Sequence, residues 1–339
     1  MRVLLIRYSS LGDVVLTSAV PRAIRRVSPD AAITVLTKQS LVPIVEHFDT
    51  DVSVVGVTDD RALGESIRQL RSQKFDAIID LHASIRSVIV SHALYAKQRE
   101  RIAKETRRRR RMVKDKHGLD HPLSVVSNYC NASCRVFTDL TECEPKLRLN
   151  AGEHAAAKRL HEQHPHALGI GWGARWPTKT VPASLWKAVL AELDLEDIKS
   201  VRLFGLADHR QAMQTFAHEV AGEHPDIRFE IHAGLSYADV MVHLYSCAAY
   251  LGSDSGVMHL AAALGVPTVA VFGPTHPSLG FAPVGEHTRT IHSGIWCSPC
   301  HKHGSAPCFR ERRFCFEDLD PTTIANAIHD LTSLRRNTT

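Results

Sequence analysis

The stretch Leu251 to Pro274 restricts the fold more than any other: Leu-Gly-Ser-Asp-Ser-Gly-Val-Met-His-Leu-Ala-Ala-Ala-Leu-Gly-Val-Pro-Thr-Val-Ala-Val-Phe-Gly-Pro. It reads as a strand end, a tight polar turn, a helix, a Gly-Val-Pro stop and a second strand. Val257, Leu260, Ala261 and Leu264 recur at helical spacing, so one face of that helix is apolar. Gly265 and Pro267 end it. Thr268 to Phe272 is a short apolar run, as in a parallel strand covered on both faces. The turn Ser253-Asp254-Ser255-Gly256 then lies where a strand's carboxyl end meets a helix N-terminus, a place suited to an anion. Equally, Asp254 or Ser255 simply caps the helix.

The same alternation recurs along the chain. Val3 to Ile6, Ile33 to Leu36, Val52 to Val57 and Ala77 to Leu81 read as strands with helical stretches between them. One helix is expected from Asp13 to about Val27, with Pro21 a possible kink, and others over about 85–96 and 121–134. Pro145 to Leu149 reads as a connector and Gly152 to Gln163 as a bridging helix. A second set follows: strands at Ala167 to Ile170, Ser200 to Phe204 and Arg228 to Ile231, and helices from Pro182, after Asp208 and from Tyr237 to Ser246. At 339 residues, two domains are expected, 1–150 and 151–339. The second carries a cysteine-rich segment, 297–315, and a C-terminal helix. The fold class is α/β, two doubly wound Rossmann-like domains facing a central cleft. The first turn lacks G-x-G-x-x-G, so nothing there calls for a dinucleotide.

No apolar run approaches the roughly 18 residues of a membrane span. The opening Met1 to Arg7 breaks its apolar run after four residues, too few for a signal peptide. The expected location is therefore cytoplasmic, where eight cysteines are thiols or metal ligands rather than disulfides. Charge is unevenly placed. Residues 97–116 hold eleven Lys and Arg against three acids, while the whole chain has a formal net charge of +5. The body is thus slightly acidic and carries one basic arm, a patch for an acidic partner or a solvated run.

Small residues, hydroxyls, a lysine and carboxylates gather at the strand ends: Ser9, Ser10, Gly12 and Asp13, then Gly171 to Lys179, Gly205 to Asp208, Asp254 to Gly256, and Gly273 to Thr275. Several such rims suggest a nucleotide-linked substrate. The opening Met1-Arg-Val-Leu-Leu-Ile-Arg-Tyr-Ser-Ser-Leu-Gly-Asp13 resembles the N-terminal signature of family 9 glycosyltransferases, typified by ADP-heptose:lipopolysaccharide heptosyltransferases. Asp80-Leu-His-Ala-Ser-Ile-Arg-Ser87, Gly173-Ala-Arg-Trp-Pro-Thr-Lys179, Asp254 to His259 and Phe272 to Thr275 resemble their later signatures, in order over essentially the whole chain.

The resemblance implies a GT-B-like fold and inverting transfer of heptose from ADP-heptose, or of another nucleotide-linked sugar, to an anionic lipopolysaccharide inner-core acceptor. It implies a peripheral place at the inner face of the cytoplasmic membrane. Asp13 would be the general base and Lys179 the cation on the donor pyrophosphate. The donor would be held by Ser10, Gly12, Thr178, Asp208, Asp254, Ser255, Gly256, His259 and Thr275. The acceptor would meet Asp80, Arg86, Arg107 and Arg109. Asp13 can also be read as an N-cap, Lys179 as a loop lysine, His259 as a core histidine and Asp80 as a cap. His276 stands where relatives often carry Asp. No cofactor is required for the chemistry.

Cys297, Cys300, Cys308 and Cys315 form a C-x2-C-x7-C-x6-C cluster with a zinc-like count. They either hold a structural Zn (or Fe), as related autotransporter heptosyltransferases do, or are reduced thiols or a redox pair. Cys130, Cys134, Cys143 and Cys247 read as small core residues. A reading from another class, a non-catalytic zinc-containing nucleic-acid-binding protein, ranks second, because the arm lacks interleaved aromatics; no nucleic acid is expected as partner.

Overall fold

The alternating elements close into two parallel sheets, each in its own packing unit. The computed structural model describes residues 1–58, 63–193 and 198–336. One unit gathers Met1–Glu105 and Ser124–Arg148; the other gathers Thr106–Leu123 and Leu149–Thr339. Packing therefore divides the chain differently from chain order. The segment 106–123 lies within the first half of the sequence and packs with the second.

In the first unit, β1 (Arg2–Ile6), β2 (Ala32–Lys38), β3 (Ser53–Val57), β4 (Phe75–Asp80) and β5 (Ala96–Arg101) form a sheet in the order β3-β2-β1-β4-β5. Val3, Leu4, Leu5 and Ile6 are all fully buried, as a strand with helices on both faces requires. The helices are α1 (Leu11–Thr17), α2 (Ala19–Val27), α3 (Val42–Glu46), α4 (Leu63–Leu70) and α5 (Ile85–Ala93); after α6 (Thr106–Asp115), which belongs to the other unit, α7 (Val125–Cys134) packs on α1 and α2.

Two local readings change here. The helix expected from Asp13 to Val27 is broken at Ser18, whose hydroxyl donates to the Val15 carbonyl at 2.7 Å. Pro21 has no N–H for the Thr17 carbonyl, so the break comes one turn ahead of it. Residues 97–101 of the expected basic arm form β5. Its burial alternates along a polar sequence, as suits a charged edge strand.

In the second unit, β6 (Ala167–Gly171), β7 (Ser200–Gly205), β8 (Arg228–Ala233), β9 (Ala249–Ser253), β10 (Thr268–Phe272) and β11 (Thr288–His292) run in the order β11-β10-β9-β6-β7-β8, all parallel. Its helices are α8 (Ala151–Gln163), α9 (Ala183–Glu192), α10 (Arg210–Glu223), α11 (Tyr237–Tyr245), α12 (Gly256–Ala263), α13 (Phe314–Glu317) and α14 (Pro321–Arg336). Trp186, Val201, Leu203, Val271 and Phe316 anchor its core. β11, mostly exposed and polar, has no apolar run to announce it.

Each sheet has one point where strand order reverses, between β1 and β4 and between β6 and β9. Parallel sheets open their ligand crevices there, beyond the carboxyl ends. Gly171 and Gly252 are register partners at the second of these points. A Cβ on either would run into the Tyr250 phenol, which is why both are glycine.

Among the described residues, no helix is long and apolar enough to cross a membrane.

Candidate active site

At the first reversal, the chain leaves β1 through Arg7–Ser10 and enters α1. Ser10 is the N-cap, so Asp13 is the third helical residue and reaches back across the turn. Its Oδ2 accepts from the Ser10 N–H at 3.1 Å and the Ser10 hydroxyl at 2.7 Å, and lies 2.6 Å from Arg7 Nη2. Oδ1 accepts from the Tyr129 hydroxyl at 3.2 Å. Arg7 is fixed in turn by donating to the Leu81 carbonyl at 2.6 Å, with its guanidinium 5.5 Å from the Tyr129 ring centre.

Burial alone would push the Asp13 carboxyl up. The Arg7 charge and the two Ser10 bonds outweigh burial and hold it below the usual carboxylate range. Asp13 is therefore ionised at neutral pH. Breaking one partner of such a buried pair costs about 3–5 kcal/mol, so the pairing is a built feature and not a chance surface contact.

Asp80, at the end of β4, is 2% exposed and fully used. Oδ1 accepts from the His82 and Ala83 N–H groups at 2.9 and 2.8 Å, and Oδ2 from the Ser87 hydroxyl at 2.8 Å. The carboxylate shapes the β4–α5 loop, and the N-cap of α5 is Ser84. Arg86 is half-buried in the first turn of α5. Beside this loop His82 meets Tyr8 edge-on at 5.4 Å. Burial, then the nearby Arg7 charge, lowers the imidazole to about 4, so it is neutral. Gly12 is buried in α1.

At the second reversal, the loop after β6 and the turn after β9 meet through an ion pair. Lys179 Nζ lies 2.8 Å from Asp254 Oδ2, with both side chains largely buried. The Thr275 hydroxyl donates to the same oxygen at 2.8 Å. Asp254 is thus a holder for Lys179 and Thr275 and not the cap of α12. That cap is Ser255, whose hydroxyl accepts from Met258 N–H at 3.4 Å. Gly256 opens the helix with no side chain in front of its amides. His259 is buried inside the first turns of α12. Asp208, beyond β7, is 79% exposed and available to a ligand. His276 caps the next turn, its Nδ1 accepting from Ser278 N–H at 3.2 Å.

The cysteine-rich segment lies on these same loops. Thr178 donates its hydroxyl to the Gly304 carbonyl, and a Cβ on Gly304 would stand 2.6 Å from Lys179 Cγ. Arg313 donates to the Thr180 carbonyl at 2.7 Å, Ser298 to the Gly273 carbonyl at 2.7 Å, and Cys300 N–H to the Pro274 carbonyl at 3.1 Å. Cys297, Cys300, Cys308 and Cys315 line one cavity with Thr178 and Pro274. Burial, then the other three thiols, pushes Cys315 up to about 12. A four-thiol donor set suits Zn or Fe chemically. The sulfurs share a cavity without being gathered to within 4.8 Å of one another.

The basic arm becomes α6, a helix pinned to its own unit. Arg109 is buried, donating to the Leu279 carbonyl at 2.9 Å with its guanidinium 5.0 Å from the Phe281 ring centre. Arg108 donates to the His121 carbonyl at 2.8 Å, while Arg107, Arg110 and Arg111 are exposed. Arg109 therefore holds the helix down and is not offered to a ligand from the surface.

Sequence reading missed Arg7 and Tyr129 as partners of Asp13, and Asp254 as the partner of Lys179. Arg7 stood in the opening signature, six residues ahead of Asp13, but Tyr129 sits 116 residues away with no motif around it.

Comparison with known proteins gives the family of the chain. The model of glycosyltransferase family 9 (heptosyltransferase) matches residues 64–307. Lipopolysaccharide heptosyltransferase 1 of Pseudomonas aeruginosa is 25% identical over 355 residues, with 97% of each chain covered. A family 9 glycosyl transferase of Veillonella parvula superposes with a TM-score of 0.75 at 17% identity, covering 98% of this chain and 97% of that one. The ADP-heptose lps heptosyltransferase II of E. coli gives 0.74 at 21%, covering 99% and 100%. The fold is of the GT-B class, and the chain belongs to glycosyltransferase family 9, the heptosyltransferases.

Proposed function

We propose that this protein transfers heptose from ADP-heptose, with inversion, to a hydroxyl of the lipopolysaccharide inner core. The observation that carries the reading is an ionised, hydrogen-bonded carboxylate, Asp13, at one strand-order reversal, and a held lysine, Lys179, at the other. Full-length likeness to lipopolysaccharide heptosyltransferases supports the choice of sugar and acceptor.

In the proposed reaction Asp13 takes the proton of the acceptor hydroxyl as its oxygen attacks the anomeric carbon. The bond from that carbon to the phosphate oxygen breaks, and ADP leaves with the electron pair. Lys179 shares its charge between Asp254 and the leaving diphosphate, and the amides at Ser255 and Gly256 add hydrogen bonds. Ser10, Gly12, Thr178 and Thr275 border the diphosphate, Asp208 takes the ribose, and His259 supports the turn from within. Lysine and amides supply the charge stabilisation, so the chemistry needs no cofactor.

Arg86 and the exposed arginines of α6 meet the anionic acceptor, with Asp80 and Arg109 shaping the surfaces that present them. The protein works at the cytoplasmic face of the inner membrane, in peripheral contact with it. A Zn or Fe held by Cys297, Cys300, Cys308 and Cys315 would fasten the segment that packs on Lys179.

The test is turnover by purified protein with a heptose-free inner-core acceptor and a panel of nucleotide sugars. ADP release with ADP-heptose, and an inverted anomeric centre in the product, is the expected result. Turnover with a different nucleotide sugar alone would replace the donor. Binding to any polyanion with a steep salt dependence, and no turnover, would favour the nucleic-acid reading.

A further inference from the structure

A second cluster of ligand-type side chains lies in the same unit, on the edge strand β8. Glu230 and His232 are two residues apart and so project from one face of β8. His243 comes to that face from the last turn of α11. One ligand atom from each of Glu230, His232 and His243 lies within 4.8 Å of the other two. His232 Nε2 is 3.4 Å from Glu230 Oε2, and the two imidazole centres are 4.1 Å apart. His243 Nδ1 is buried with no hydrogen-bond partner, while the buried His232 Nε2 faces only the Glu230 carboxylate. A buried nitrogen left without a partner is costly unless something binds it.

We propose that Glu230, His232 and His243 form a structural site for a borderline divalent cation, Zn2+ foremost, that fastens the end of α11 to β8. The charges around it select the metal. Arg202, fully buried on β7, donates Nε to Glu230 Oε2 at 3.1 Å, and Arg228 Nε lies 3.8 Å from Oε1. Glu230 is therefore already compensated, and a hard cation such as Ca2+ or Mg2+, which depends on anionic oxygen, gains little. Affinity must come from two imidazole nitrogens, which suit Zn2+ and its neighbours, with the carboxylate bridging guanidinium and metal. His164 Nε2, 3.7 Å from Glu230 Oε1, borders the carboxylate, and water would complete the shell.

The site would brace the donor loop that bears Asp208. Arg210 donates to the Ala233 carbonyl at 2.8 Å, and Gly234 N–H to the Gly205 carbonyl at 3.0 Å.

The experiment uses the full chain, stripped with chelator and titrated with Zn2+, and with Co2+ as spectroscopic metal. Because the cysteine cluster can also take up either ion, the titration is run in parallel on the Cys297, Cys300, Cys308 and Cys315→Ser protein. The expected result is one Co2+ with visible bands of nitrogen and oxygen ligation and no thiolate charge-transfer band. Zn2+ should raise the melting temperature, and affinity should fall by at least ~100-fold in His243→Ala. An unchanged nitrogen–oxygen spectrum in a folded His243→Ala overturns the site. Should that variant or the serine protein not fold, the wild-type Co2+ spectrum decides. A spectrum of thiolate ligation alone, or none, overturns it equally.

Discussion

Asp13 and Asp254 both follow a strand at a sheet's reversal point and both face a cation, yet the proposed reaction gives them opposite work. In the first pair the carboxylate is the proposed reactive group and Arg7 the buttress. Arg7 is locked to the Leu81 carbonyl and beside Tyr129, so it cannot leave. In the second pair, on the same proposal, the cation acts on the donor and the carboxylate is the buttress, held by Thr275. A lysine ammonium on a flexible stem can share its charge with an arriving diphosphate; a guanidinium bound on two sides cannot. On this proposal the chemical type of the cation distinguishes the member of each pair that acts.

The sharpest way to break this comparison is Asp13→Asn. Its amide preserves shape and most hydrogen bonds but not the charge facing Arg7, so the melting temperature should drop while the fold and donor affinity hold and kcat falls by roughly 10²–10⁴. Near-native kcat in a well-folded variant would falsify the base assignment. Next comes Lys179→Gln, expected to lower kcat/KM by about 10²–10³, the scale of one lost charge-stabilising donor. Adding Asp254→Asn should recover part of that loss, because the single variant leaves a bare carboxylate beside the diphosphate. If the double variant is no better, Asp254 does not face the donor.

A third effect lies in pH. Asp13 sits below the ordinary carboxylate value of about 3.9, so turnover should stay flat as pH drops toward 4. In Arg7→Gln burial acts with less opposition, the carboxyl rises, and an acid limb should enter the assayable range, with activity restored at higher pH. A pH–rate profile unchanged from wild type would separate Arg7 from Asp13. The smallest effect concerns α6. Arg107, Arg110 and Arg111→Gln should raise acceptor KM several-fold and flatten its salt dependence, leaving donor KM alone. Arg109→Gln should instead lower the melting temperature. The reverse pattern would mean that the buried arginine, not the exposed ones, reads the acceptor.

Strands buried on both faces were legible because apolar runs such as Val3 to Ile6 have no other use. The edges β5 and β11 were hidden for the opposite reason. One side of an edge strand faces water, so a sequence such as Ala-Lys-Gln-Arg-Glu-Arg announces charge and not pairing. The candidate groups stood at strand ends, in short signatures, and could be picked out as candidates. Their partners could not, since Tyr129 reaches Asp13, and Asp254 reaches Lys179, only through the fold. The arginine run misled most plainly. Five like residues give no hint that Arg109 and Met112, three apart, are the buried face of a helix.

The excursion of residues 106–123 has a consequence for how such enzymes can be recombined. Leu123 N–H donates to the Ser278 carbonyl at 2.9 Å, the Ser278 hydroxyl donates to the Leu119 carbonyl at 2.6 Å, and Arg109 covers Phe281. A chimera joined near residue 150 would keep the first partner's basic helix but replace the surface on which it rests. The helix would have to find Leu279 and Phe281 equivalents in a foreign half, and residues 151–339 made alone would expose them. Exchange between family members therefore has two natural seams around this helix in addition to the one at mid-chain. Whatever acceptor preference the exposed arginines confer would stay with the first partner in such a chimera, while the surface that positions them would come from the second.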